Sequence, residues 1–127
     1  MSAIRNIAAA IFLAASAVSA EELAKYAWEA RPILIFALPG DPRLDEQLAL
    51  FERARADLED RENVVIVDTE PGSKLRERYQ PSDFSVILIG KDTGEKFRRD
   101  DLVDPSELNA LIDTMPMRRQ EMQRTGN

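Results

Sequence analysis

The sequence contains no cysteine and no histidine. Without cysteine the chain has no disulfide, no thiolate nucleophile and no thiolate ligand for a metal. Thiol–disulfide exchange is excluded, because that reaction needs a thiolate that attacks a disulfide sulfur. A lipid anchor attached to cysteine is excluded for the same reason. Without histidine, the most common general base and zinc ligand near neutral pH are also missing.

The N-terminal segment has the three parts of a secretory signal peptide. Arg5 is its only charge, residues 7–18 are apolar, and small side chains precede the pair Glu21-Glu22. The apolar run is too short for a bilayer, which needs about 20 residues. We predict a signal peptide over residues 1–20, cleavage after Ala20, and a periplasmic or secreted product with no stable membrane anchor. An uncleaved anchor or a buried helix is the alternative.

The charge balance is acidic, with 17 basic and 23 acidic residues and a net charge of −6. Such a chain is a poor ligand for nucleic acid, so no nucleic-acid partner is expected. The acidic residues show no metal-binding spacing, and we predict no metal and no cofactor. Asp92-Thr93-Gly94 matches the aspartic protease triplet, but that chemistry needs two aspartates in one site. We interpret the triplet as a hairpin turn.

Short apolar runs alternate with helical patterns along one domain-sized chain. Asp41-Pro42 has the form of an N-cap followed by proline at the first helical position. A strand–helix–strand unit favours a parallel pair, and the turn at 90–94 favours an antiparallel hairpin. Only Phe97 of the last strand points inward, so that strand is predicted at the edge. The predicted helices cover about 21–30 and 42–60, a short stretch after Ser73, and a stretch after Asp104.

The predicted fold class is therefore α/β, with a four-stranded mixed sheet and helices on both faces. The expected strand order is 64–67, 33–38, 84–89, 95–98. We expect the domain over residues 21–116 and a polar C-terminal tail over 117–127.

Local sequence resembles thioredoxins. Residues 33–37 (Ile-Leu-Ile-Phe-Ala) resemble their central strand, and Gly40-Asp41-Pro42-Arg43 falls where they carry Cys-Gly-Pro-Cys. Ser85 falls where they carry a cis-proline. More specifically, residues 31–37, 84–92 and 111–122 resemble the DUF4174 family, thioredoxin-like domains of exported bacterial proteins and extracellular matrix proteins. This resemblance covers about residues 24–122 and implies a thioredoxin-like or peroxiredoxin-like scaffold of unassigned activity.

Two groups of residues are candidate binding sites. Gly40, Asp41 and Arg43, together with Ser85, surround a helix start whose N–H groups would suit an anion. Asp41 could instead occupy those groups as a cap. The second group combines adaptable methionine with arginine, which is enriched at interface hot spots. It consists of Met117, Arg118 and Arg119. In the alternative, the methionines close the core and the arginines pair with acidic surface groups.

These observations assign no catalytic residue and favour a non-catalytic binding or adaptor protein with a protein partner. One alternative is an enzyme that uses carboxylate and arginine chemistry at Asp41 and Arg43. A structural or stress-related protein without a defined ligand is the other.

Overall fold

The structure, a computed structural model, describes residues 12–14 and 20–124. No helix within these ranges is long and apolar enough to cross a bilayer. The strands are β1 (Phe12–Ala14), β2 (Arg31–Ala37), β3 (Asn63–Asp68), β4 (Phe84–Ile89) and β5 (Glu95–Arg99). The helices are α1 (Ala20–Ala24), α2 (Pro42–Arg53), α3 (Arg55–Asp60), α4 (Lys74–Tyr79), α5 (Pro105–Ile112) and α6 (Pro116–Arg124).

The strands form one mixed sheet in the order β1-β3-β2-β4-β5. β2 is parallel to β3 and antiparallel to β4, and β4 is antiparallel to β5. This confirms the predicted order of the four strands β3-β2-β4-β5. As predicted, β5 lies at the edge and is largely exposed, with Phe97 half-buried against the core.

A fifth strand, β1, pairs in parallel with β3, with Phe12 opposite Val65. It was not predicted, because its residues belong to the apolar run interpreted as a signal peptide. The outer edge of β3 offers backbone groups with which a further strand can pair. Residues 1–11 and 15–19 lie outside the described residues, and so does most of the predicted signal peptide.

The sheet is buried on both faces, and all seven residues of β2 are buried. Successive side chains of a strand point to opposite faces, so β2 contributes to two cores. On one face Ile33 and Ile35 share a cluster with residues of α2, α3 and α5. On the other face Leu34 and Phe36 share a cluster with residues of α1 and α4. The central strand therefore holds the two helical layers together.

Two predicted helices have different bounds in the structure. The segment predicted as one helix over 42–60 divides into α2 and α3 at Ala54, whose φ of −105° and ψ of 19° are not helical. The helix predicted over 21–30 ends at Ala24, and turns follow it. The N–H of Trp28 donates to the carbonyl oxygen of Lys91, at 2.7 Å, rather than to a helical neighbour. This contact with a distant turn replaces the last turns of the predicted helix.

The segment predicted as a polar tail forms helix α6, which is joined to the domain by buried charge. Glu121 is buried and accepts hydrogen bonds from Arg31 at 3.2 Å and 3.0 Å and from Lys91 at 2.6 Å. Arg31 is 1% exposed, so its guanidinium needs a carboxylate within the protein. The folded unit therefore extends through Glu121, beyond the predicted boundary at 116.

Replacement of Glu121 by alanine should destabilise the domain strongly, because it leaves Arg31 and Lys91 buried without their shared carboxylate. Removing one partner of a buried ion pair costs about 3 kcal/mol. We expect a loss of that order in the free energy of unfolding in urea. Gln123→Ala, an exposed position on the same helix, is the matched control and should leave the urea midpoint unchanged. Equal midpoints for the two variants would contradict this role of Glu121.

The stability should also depend on pH through Glu121. Burial alone would raise the pKa of this carboxyl group, but hydrogen bonds from Arg31 and Lys91 hold it below its ordinary value of 4.5. Its contribution is complete above about pH 4.5 and is lost as the pH falls through the lower pKa of the folded state. The stability difference between wild type and Glu121→Gln should therefore shrink on acidification, measured by urea unfolding. A difference that stays constant down to about pH 3 would contradict the linkage.

Candidate functional site

The loop between β2 and α2 presents an apolar side chain and an open glycine. Leu38 follows the end of β2 and is 41% exposed, although it is a large hydrophobic residue. Gly40 has a φ of +82°, a conformation that glycine adopts without strain. Apart from Gly40 and its two chain neighbours, no heavy atom of the described residues lies within 4 Å of the position that a Cβ of Gly40 would occupy. The loop is therefore an accessible surface, at the position where the sequence resemblance places the thioredoxin redox pair.

Asp41, the last residue of this loop, binds Arg43, the second residue of α2. Asp41 is the N-cap of α2, as predicted, and accepts a hydrogen bond from the backbone N–H of Arg43 at 2.9 Å. The guanidinium of Arg43 also donates to both carboxylate oxygens, at 3.1 Å and 2.8 Å. It lies 4.8 Å from the centroid of the Phe84 ring. The hydrogen bonds from the side chain and the backbone of Arg43 lower the pKa of Asp41.

This arrangement decides between the two interpretations of Asp41. The carboxylate is ionised and both of its oxygens are engaged, so it caps the helix and neutralises Arg43. An anion at the same helix start would meet a negative charge instead of free N–H groups. The structure therefore favours the capping interpretation and gives no support to Asp41 as a general base.

Ser85 is fully buried in β4, opposite Phe36 of β2. Its hydroxyl donates to Asp100 at 2.8 Å and accepts from the backbone N–H of Ser82 at 3.1 Å. The described residues contain no cis peptide bond, so Ser85 does not reproduce the backbone of a cis-proline. Its neighbour Phe84, rather than Ser85 itself, connects β4 to Arg43.

The structure places Arg118 in the interior instead of on the exposed patch that was predicted as a binding site. Arg118 is 6% exposed, and its guanidinium donates to Asp60 at 2.6 Å and to Asp113 at 3.1 Å. These bonds hold α6 against the preceding helices, as the alternative interpretation predicted for the arginines. Arg119 is exposed, and Met117 is half-buried beside a hollow next to Lys91. Of the three residues, only Arg119 stays fully available to a partner.

Sequence reasoning missed an aromatic surface. The chain has one tryptophan and two tyrosines. Tyr26 and Tyr79 line one shallow hollow, whereas Trp28 is 64% exposed and directly follows Ala27, which also lines that hollow. The available signal was that Tyr26 and Trp28 are two residues apart, a spacing that places them on different faces of the helix predicted over 21–30. Among the described residues, no group of three or more histidine, cysteine or acidic side chains could hold a metal ion.

Adjacent arginines on α6 give a direct test of the C-terminal patch. Arg118→Ala should lower the free energy of unfolding by about 1–3 kcal/mol, because Asp60 loses its charged donor and Asp113 keeps only Arg61. Arg119→Ala should leave stability unchanged, since this side chain is exposed. Urea unfolding of both variants measures the contrast. If Arg118→Ala were as stable as Arg119→Ala, the structural role assigned to Arg118 would be refuted.

Solved structures of thioredoxins are similar to this fold. Chloroplastic thioredoxin z aligns with a TM-score of 0.58 and 19% identity, over 77% of this chain and 93% of that one. Thioredoxin-2, a component of the malaria parasite protein secretion machinery, aligns with a TM-score of 0.56 and 19% identity, over 68% of this chain and 84% of that one. A designed protein aligns with a TM-score of 0.52 and 22% identity, over 76% and 86% of the two chains.

At these identities the likeness shows the fold alone, which is α/β and thioredoxin-like. No curated protein matches the chain. A profile described as "Domain of unknown function (DUF4174)" matches residues 22–121. Because this match spans most of the sequence, the chain belongs to the DUF4174 family.

Proposed function

We propose that this chain is an exported, non-catalytic binding or adaptor protein of the periplasm or extracellular space. We further propose that residues 38–43 form part of its surface for a protein partner; this segment comprises the loop and the first two residues of α2 and is here called the β2–α2 loop. One observation carries the proposal. The position of the thioredoxin redox pair holds no thiol, and in its place Asp41 and Arg43 bind each other beside an exposed leucine.

The β2–α2 loop combines features that favour protein binding. Arg43 is held by Asp41 and Phe84, so little side-chain freedom is left to lose when a partner binds. Its side chain is still 38% exposed, and Asp41 uses only part of the donor set of the guanidinium. Leu38 adds an apolar contact beside this charge. A partner that brings an apolar side chain and a hydrogen-bond acceptor would fit the loop.

The two alternative functions, an enzyme and a structural protein without a ligand, differ in what they require of the β2–α2 loop. An enzyme using carboxylate chemistry would need an accessible Asp41, and its oxygens are occupied by Arg43. A structural protein without a ligand would need no exposed leucine at the end of the central strand. Chloroplastic thioredoxin z is described in terms of target recognition, which is a property of that protein. For the present chain that role is our proposal.

Expression with the native leader in a Gram-negative bacterium, followed by cross-linking in intact cells, tests export and binding together. The chain should be found outside the cytoplasm with Glu21 as its first residue, because cleavage is predicted after Ala20. It should cross-link to a protein partner through the β2–α2 loop. Leu38→Asp and Arg43→Ala should reduce that product, detected by mass spectrometry.

Arg53→Ala is the matched control, since Arg53 is exposed at the other end of the same helix α2. Its cross-linked product should equal that of wild type. An uncleaved chain in the cytoplasm would overturn export. Equal cross-linking by all variants would overturn the assignment of the loop, and absence of any partner would favour the structural alternative.

A further inference from the structure

The turn before the central strand holds its tryptophan in an unfavourable backbone conformation. Trp28 has a φ of +65°, a region that bulky residues rarely occupy. Three hydrogen bonds hold the turn. The N–H of Trp28 donates to the carbonyl oxygen of Lys91 at 2.7 Å, and the N–H groups of Glu29 and Ala30 donate to that of Tyr26 at 2.9 Å each. Such strain persists where the surroundings impose it, and often at binding surfaces.

Packing does not explain this conformation, because the Trp28 side chain remains 64% exposed. Ala27, the preceding residue, lines the shallow hollow together with apolar and aromatic side chains that include Leu23, Tyr26, Pro32 and Tyr79. Burial raises the pKa of the Tyr79 hydroxyl, which is consistent with a partly dehydrated hollow. We call the exposed face of Tyr26, Trp28 and Tyr79 the aromatic surface. All tryptophan and tyrosine of the chain lies there.

Positive charge flanks the aromatic surface on two sides. The Lys25 ammonium lies 5.5 Å from the centroid of the Tyr26 ring, and the Arg78 guanidinium lies 5.5 Å from that of Tyr79. Both side chains are exposed, and among the described residues neither forms an ion pair. Arg78 is the charged residue that lines the hollow, whereas Glu29 follows Trp28 without lining it. Arg78 therefore places a positive charge at the hollow, in a chain whose net charge is −6.

We propose that the aromatic surface binds an extended peptide segment of a protein partner, in which a large apolar side chain lies next to acidic side chains. The apolar side chain would lie across the mouth of the shallow hollow between Tyr26 and Tyr79 and pack on Trp28, since the hollow itself has room for about one water molecule. The carboxylates would pair with Lys25 and Arg78, whose charges have no acidic partner among the described residues. Tryptophan and tyrosine are enriched at interface hot spots, because they bury a large area with few rotatable bonds.

This surface is separate from the β2–α2 loop. Trp28 lies three residues before Arg31, the first residue of β2. Leu38 directly follows Ala37, the last residue of that strand. A strand of seven residues spans about 23 Å, so the two exposed hydrophobic side chains mark opposite ends of one strand. The inference therefore goes beyond the proposed function. Occupation of both surfaces at once would make the protein an adaptor.

Fluorescence anisotropy of labelled peptides tests the proposal on the full chain. The probe is a short peptide with a central phenylalanine between pairs of aspartate and glutamate. One matched peptide carries lysine in place of the acids, and another carries alanine in place of phenylalanine. Only the first should bind. Because Trp28 is the only tryptophan, a change in the intrinsic emission during the same titration reports contact at this surface.

Variants separate this surface from the β2–α2 loop. Trp28→Ala should weaken binding about 10-fold or more, as expected for a hot spot. Lys25→Glu and Arg78→Glu should each weaken it about 3-fold, as expected for exposed charge pairs. Arg53→Glu, a charge reversal at an exposed position on α2, is the control and should bind like wild type. Leu38→Asp should also bind like wild type, so failure of the proposed loop would not affect this result.

Circular dichroism and urea unfolding verify that each variant is folded before its affinity is compared. The proposal is overturned if the acidic peptide does not bind, or if the lysine peptide binds equally well. Full affinity in folded Trp28→Ala would also overturn it. A single-stranded oligonucleotide of similar length is added as a competitor of the labelled acidic peptide. Its binding in preference to the acidic peptide would show that stacking and cationic charge serve nucleic acid, contrary to the proposal.

Discussion

The bidentate contact between Arg31 and Glu121 connects distant parts of the chain. Arg31 begins the central strand at 1% exposure, where an unpaired guanidinium would be very costly. Glu121 neutralises the charge of Arg31, which also donates to the carbonyl oxygen of Arg61 at 2.9 Å. Lys91, which lies in the β4–β5 turn, pairs with the same carboxylate of Glu121 and also with Glu62. One buried group of charges therefore connects the start of β2, the α3–β3 turn, the β4–β5 turn and α6.

This interaction also explains which parts of the fold were predictable. Strands β2, β3 and β4 follow from apolar runs that are readable in the sequence, because burial on both faces demands such runs. Helix α6 was missed because it carries no apolar stripe. It is held by partners far away in the chain, Arg31 and Lys91 for Glu121 and Asp60 for Arg118. Pairing of that kind is a tertiary property that local periodicity does not contain.

In the candidate site too, features with a local sequence signal were predictable, whereas contacts between distant residues were not. The capping role of Asp41 was predicted, since an aspartate followed by proline is a local signal for a helix start. The contact of Arg43 with Phe84 was not predicted, because it joins two elements that are distant in sequence. The aromatic surface was missed for a related reason. Residues 21–30 favour helix locally, but the bond from Trp28 to Lys91 ends the helical path and turns the indole outward.

The docking of α6 has a consequence for where the domain ends. Composition places a boundary near Pro116, where apolar residues give way to a polar stretch that looks dispensable. The carboxylate that neutralises Arg31 lies beyond that boundary, and so does the guanidinium that pairs with Asp60 and Asp113. A premature stop codon just after Pro116 would therefore remove counter-charges from the interior. Its expected phenotype is loss of the whole folded protein rather than loss of an appendage.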